Sequence, residues 1–153
     1  MPKIFIIAEA GVNHNGSIER AHQLVEKAAE AGADAVKFQT FKASALTVKG
    51  APQASYQSKN LGGKGDQFSM LKALELPYEA HYALKKQCET LGIEFLSTPF
   101  DTESLNFLID DLGMSRLKIP SGEITNGPFL WECSKKKCPI LLSTGIGKVV
   151  PGV

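Results

Sequence analysis

The chain has 153 residues, 43% hydrophobic and 22% charged. That is enough for one domain with a real core and is the composition of a globular protein, not a disordered or membrane one. Seventeen basic side chains against sixteen acidic ones leave a formal net charge of +1, with no basic stripe beyond Lys135–Lys137, which argues against nucleic acid as a partner. Cys88, Cys133 and Cys138 form neither an even set nor a C-x-x-C pair. This argues against a disulfide framework or a structural zinc site and fits a reducing, cytoplasmic setting.

At the N-terminus, MPKIFIIAEAG carries one lysine and an apolar stretch that meets Glu9 almost at once, too short for a signal peptide or a membrane span. Ile4–Ala8 is the first of five short apolar runs of β character. Ile18, Ala21, Leu24, Val25, Ala28 and Ala29 then follow a helical period, with Ser17 placed to cap the start and Gly32 to end it. Ala35–Thr40 is the second β run. The stretch Thr47–Gly65, rich in glycine, keeps neither period and reads as a long insertion. Pro77 opens a helix whose His81, Leu84, Cys88 and Leu91 recur at three- and four-residue steps up to Gly92. Ile93–Thr98 follows as a third strand. Asp101 can cap a helix carrying Leu105, Leu108 and Leu112. Arg116–Pro120 is the fourth strand, Pro128 opens a helix through Trp131, and Pro139–Thr144 is the fifth strand.

Strand and helix alternate throughout, which implies a parallel sheet covered by helices through right-handed crossovers. No G-x-G-x-x-G or Walker loop follows a strand, so the nucleotide-binding version of this architecture lacks its signature. The expected fold is an α/β TIM (β/α)8 barrel. Such a barrel needs eight βα units and about 250 residues, whereas about five units are legible here. The chain, 1–153, is therefore expected to be a truncated N-terminal part of a barrel, the alternative being a five-unit open sheet.

In such a barrel function collects at the C-terminal strand ends, and the polar residues fall there. Glu9 closes the first run, Lys37 and Gln39 alternate on one face of the second, and Ser97 and Thr98 end the third. Lys118, Ser121 and Glu123 mark the fourth, and Ser143 and Thr144 the fifth. A single lysine inside a strand reads as snorkelling to the rim. Two, each beside hydroxyl-bearing strand ends, call for an anionic ligand such as a phosphate or carboxylate to offset their desolvation. Glu9 and Glu123 can pair with these lysines or act as acid or base, and Lys37 or Lys118 could instead form a Schiff base, as in an aldolase. His14, in VNHNG, reads as a loop brace, with metal ligation and substrate contact as alternatives. His22 and His81 fall within helices and suit packing or exposure, and no H-E-x-x-H cluster occurs.

Taken together, IAEAGVNHNGS, AGADAVKFQTF, FLSTPFD, LKIPSGEITN and ILLSTG resemble, in unbroken order from residue 4 to about 147, the sialic acid synthase family. That resemblance implies a TIM barrel followed by a small antifreeze-like domain in a homodimer, neither complete in this chain. It implies condensation of phosphoenolpyruvate with an N-acetylated hexose such as N-acetylmannosamine, or with a diacetamido sugar on the way to legionaminic or pseudaminic acid, with release of phosphate. It also implies a divalent metal, Mn2+ or Mg2+, whose histidine ligands fall on later strands, so metal ligands are expected outside this chain. By the same resemblance Lys37 and Lys118 clamp phosphoenolpyruvate, with Thr98 and Ser121 as hydroxyl partners. Gln39 and Glu123 face the sugar and reacting carbons, Glu9 supports the chemistry, Tyr56 and Gln57 touch the sugar, and the NHNG motif lies at the pocket wall. The alternative to an enzyme is a non-catalytic barrel fragment that binds anions at most.

Overall fold

The computed structural model describes residues 4–47 and 66–145. Most of the Thr47–Gly65 insertion, Tyr56 and Gln57 included, lies outside the described residues.

Five parallel strands form an arc with helices on its outer side. Strand β1 (Ile7–Gly11) pairs with β2 (Ala35–Thr40), and β2 with β3 (Glu94–Pro99); β4 (Leu117–Ile119) pairs with β5 (Ile140–Leu142). The two ladders meet at β3 and the entry to β4, where Met114 Sδ accepts the Ser97 N–H at 3.1 Å and Glu94 takes Arg116 Nε at 2.9 Å.

The first strand begins later than the sequence suggests. Ile4 and Ile6 are 80% and 55% exposed, and the Ile6 carbonyl accepts the N–H groups of Asp34 and Ala35 ahead of the ladder. The strand also runs on to Gly11, so Glu9 lies inside β1, directly opposite Lys37, instead of closing the run.

Helix α1 (Ile18–Glu30) starts where Ser17 accepts the Arg20 N–H and ends before Gly32, whose φ of +77° suits glycine. The short α2 (Ala43–Leu46) precedes the insertion, and α3 (Gln67–Leu74) follows it under an Asp66 cap. Helix α4 (Tyr78–Leu91) buries His81, Leu84 and Cys88 on one stripe, while Leu91, at the end of the same period, is largely exposed.

Asp101 caps α5 (Thr102–Asn106) through Ser104, as its position implies. The helix then widens into a π turn, Phe107–Asp111, closed by the Leu112 N–H on the Phe107 carbonyl at 2.8 Å. Phe107 joins Leu105, Leu108 and Leu112 in the interior and stacks on Tyr78 with centroids 3.8 Å apart. Four inward apolar residues demand a wider stripe than one helical face supplies, and the π turn provides it. Helix α6 (Gly127–Lys135) is capped by Asn126, with Pro128 in its first turn.

The core is the layer between sheet and helices: Val25, Val36, Phe38, Leu84, Phe95 and Leu108 form one cluster, and Leu105, Leu117, Ile119 and Phe129 a second under α6. Alternation along β2 sorts the strand. Val36, Phe38 and Thr40 face the helices and are buried, while Lys37 and Gln39 lie half-buried on the inner side of the arc.

Candidate active site

The inner face carries the charge. The Lys37 ammonium pairs with the Glu9 carboxylate across the β1–β2 ladder; its side chain is 13% exposed against 51% for Glu9. On β4, Lys118 lies on the same face, between the outward Leu117 and Ile119. Its Nζ donates to Ser143 Oγ and to the Ile119 carbonyl, both at 2.7 Å. Desolvation pushes the Lys118 pKa below the usual lysine value, and the positive charge of Lys37 lowers it further against the opposing pull of Glu9. Two cations and one carboxylate thus feel one another across three strands.

Gln39 and Thr98 face each other in the β2–β3 register. Thr98 is 2% exposed and its Oγ1 has no hydrogen-bond partner among the described residues. A buried hydroxyl without a partner costs about 1–3 kcal/mol, and an anionic oxygen entering between the strand ends would supply the missing acceptor.

Gly11 was not singled out by sequence reasoning, yet it shapes this corner. The ladder is irregular between Glu9 and Gly11, the glycine has φ +53°, and a Cβ there would stand 3.2 Å from Glu9 Oε1 and 3.7 Å from Gln39 Nε2. A side chain would crowd both groups from a backbone conformation unfavourable to it. Ser143, read from sequence only as a strand-end hydroxyl, is the group that holds Lys118.

Ser121 opens a 3-10 turn, Ser121–Glu123, just after β4. Glu123 Oε2 accepts from Asn126 Nδ2 at 2.6 Å, and Asn126 Oδ1 in turn caps α6 through the Phe129 N–H. The Glu123 carboxylate thus braces a helix start and, among the described residues, makes no ion pair with Lys37 or Lys118.

His14 is fully buried in the β1–α1 loop. Its Nδ1 accepts the Gly16 N–H at 3.0 Å and its ring lies 6.2 Å from Phe38, so it braces the loop from the helix side of the sheet. This is not the inner wall on which Lys37 sits. Burial lowers its pKa. Gly16 is obligatory there, since its φ is +75° and a Cβ would meet the Ala73 carbonyl oxygen at 2.1 Å. His22 Nδ1 sits 2.6 Å from Gln87 Oε1, joining α1 to α4.

A cleft of about 510 Å3 opens between the first turns of α5 and α6, walled by Phe100, Asp101, Asn126, Phe129 and Glu132. None of the inner-face cations lines it, and Asp101 is already engaged by the Ser104 and Lys42 N–H groups. Among the described residues no group of three or more His, Cys, Asp or Glu side chains could hold a metal ion.

The NeuB family profile matches residues 24–150. The chain belongs to the NeuB family. It is 58% identical over 142 residues to the N,N'-diacetyllegionaminic acid synthase of Legionella pneumophila, a match covering 93% of this chain and 40% of that protein. It is 48% identical to the enzyme of the same name from Campylobacter jejuni, over 97% of this chain and 44% of the relative. The NeuB-family chain thus spans under half the length of these curated relatives. Among solved structures it resembles the N-acetylneuraminic acid synthetase of Leptospira borgpetersenii in complex with citrate, with a TM-score of 0.79 at 30% identity over 97% of this chain and 47% of that one. The architecture is accordingly that of a TIM barrel, represented here by about five βα units.

Proposed function

We propose that the full-length protein carrying this NeuB-family chain condenses phosphoenolpyruvate with an N-acetylated sugar aldehyde to form a nonulosonic acid, releasing phosphate. The observation that carries this reading is the convergence of Lys37, Lys118 and Glu9 on one inner face, beside the unpartnered hydroxyl of Thr98. Its identity to the Legionella synthase favours a diacetamido sugar on the way to diacetyllegionaminic acid over N-acetylmannosamine.

In this reading the two ammonium groups neutralise the phosphate and carboxylate of phosphoenolpyruvate, and the Thr98 hydroxyl donates to a phosphate oxygen. The bound anion draws Lys37 away from Glu9. That half-exposed carboxylate is then free to position, and take a proton from, the water that attacks C2 once C3 of the enol has bonded to C1 of the sugar. The tetrahedral centre at C2 then expels inorganic phosphate. In the same reading Gln39, opposite Thr98, hydrogen-bonds the sugar, and Glu123 gives up its hydrogen bond from Asn126 to face the reacting carbons.

The divalent metal implied by the family resemblance, Mn2+ or Mg2+, finds no fitting donor set among the described residues, and its ligands are proposed to lie outside this chain. The same proposal takes residues 1–153 as the first part of the barrel, with further strands and an antifreeze-like domain elsewhere in a homodimeric, cytoplasmic protein. No helix among the described residues is long and apolar enough to cross a membrane.

The test is phosphate release by the full-length protein with phosphoenolpyruvate, Mn2+ and a panel of N-acetylated sugars. Turnover with the diacetamido sugar above N-acetylmannosamine is expected; no release with any of them would overturn the proposal. The desolvated Lys118 favours a Schiff-base aldolase as the second reading. Borohydride in the presence of pyruvate separates the two, since only the aldolase would be trapped as a lysine adduct.

A further inference from the structure

We propose that His81 is a positioning residue for this site, acting through a one-way hydrogen-bond chain that runs from Ser97 through Thr40 and His81 to the Pro77 carbonyl. Its effect on turnover rests on the function proposed above; its geometry does not.

His81 lies on α4 and is 1% exposed, packed against the side of the sheet opposite Lys37. Its Nδ1 is 3.0 Å from the Pro77 carbonyl, which can only accept, so Nδ1 carries the proton. In the neutral ring Nε2 is then an acceptor, and the Thr40 hydroxyl, 2.9 Å away, donates to it. With its proton so committed, Thr40 Oγ1 accepts from Ser97 Oγ at 2.7 Å. Every donor in the chain has one direction.

An imidazolium would set a second N–H against Thr40 and reverse the order. Burial, opposed by the hydrogen bond to the Pro77 carbonyl and aided by the neighbouring His14 ring and the Lys42 ammonium, pushes the His81 pKa down to about 4 and keeps the ring neutral. The ring is also caged: Tyr78, Phe95 and Phe107 meet it edge-on, with centroids 6.2, 6.3 and 5.5 Å away.

The chain ends on the strand tips that carry the site. Thr40 follows Gln39, and Ser97 precedes Thr98, and Gln39 faces Thr98 in the ladder. Side chains alternate across a sheet. Clamping Thr40 to Ser97 on the helix side therefore sets the spacing of Gln39 and Thr98 on the inner side, near the C-terminal end of the ladder.

The experiment begins with nitrogen-15 spectra of the imidazole rings in the full-length protein at pH 7. A protonated Nδ1 with an unprotonated Nε2 at His81 is expected, whereas an Nε2–H ring would overturn the chain. Thr40→Val, close in shape, deletes both hydroxyl bonds. It should shift the side-chain amide resonances of Gln39 and lower kcat about tenfold, the scale of a sub-ångström misplacement, with Thr40→Ser restoring both. In the same way His81→Gln, which retains an acceptor, should exceed His81→Leu in turnover. Unchanged Gln39 resonances in Thr40→Val, or a loss that Thr40→Ser fails to restore, would remove the positioning role. A wild-type protein with the expected ring but no phosphate release would instead remove the proposed function and leave the Gln39 resonances to decide the positioning.

Discussion

The two faces of β2 differ in what holds them. On the helix side, Val36 and Phe38 are fully buried among apolar groups, and the polar Thr40 is satisfied by His81 and Ser97. On the inner side, Lys37 and Gln39 are half-buried, Lys37 leans on a half-exposed carboxylate, and the neighbouring Thr98 hydroxyl has no partner among the described residues. The polar side chain that β2 itself turns to the helices is satisfied, whereas the inner side is poised. A strand of six residues carries both because successive side chains point to opposite sides, so stability and chemistry occupy alternate positions instead of competing for the same ones.

That contrast is sharpest under substitution. Phe38→Ala, which empties a fully buried site against Phe95 and His14, should cost about 3–5 kcal/mol in chemical denaturation of the full-length protein. Loss of activity there should follow loss of fold. Lys37→Ala and Lys118→Ala should do the reverse, each lowering kcat/KM about 10²–10³-fold while the unfolding midpoint moves little. A lysine variant that unfolds the protein, or a Phe38 variant that is stable yet inactive, would break the division between the faces.

Titration distinguishes the faces as well. His81 has its folded pKa lowered to about 4 from 6.5, chiefly by burial, so the unfolded chain takes up a proton that the folded one refuses. Its contribution is therefore complete above pH 6.5 and is lost as pH falls towards 4. That interval at 1.36 kcal/mol per pH unit sets a ceiling of about 3 kcal/mol. His81→Gln should flatten this part of the stability profile; an unchanged slope between pH 6.5 and 4 would show that the buried ring is not its source. The smallest effect is expected away from both faces. Ser17→Ala removes the α1 cap seen on the Arg20 N–H and should cost about 1 kcal/mol in thermal unfolding without touching turnover.

Much of this was legible in the residues. Alternation alone placed Lys37 and Gln39 on one face and Val36 and Phe38 on the other, and Ser17, Asp101 and Gly32 act at helix ends as their types require. Caps and periods are local, so sequence carries them. The start of β1 is not legible in the sequence, because apolar content does not say which residues find a partner strand: Ile4 and Ile6 are as strand-like as Ile7 but remain outside the ladder. The π turn at Phe107 was hidden for a related reason, since it answers to the stacking of Phe107 on Tyr78 from another helix.

The candidate site divides in the same manner. Which residues carry charge and hydroxyls at strand ends is written in the order of the chain. That Lys118 is held by Ser143, that Glu123 turns aside to Asn126, and that His81 reaches Thr40 across forty-one positions depends on how separate strands and helices come to lie together. Sequence by itself determined the period of each element and hence the face on which each side chain stands. Only the tertiary structure decided which faces meet, because hydrogen bonds and ion pairs between distant residues follow from packing that no local pattern encodes.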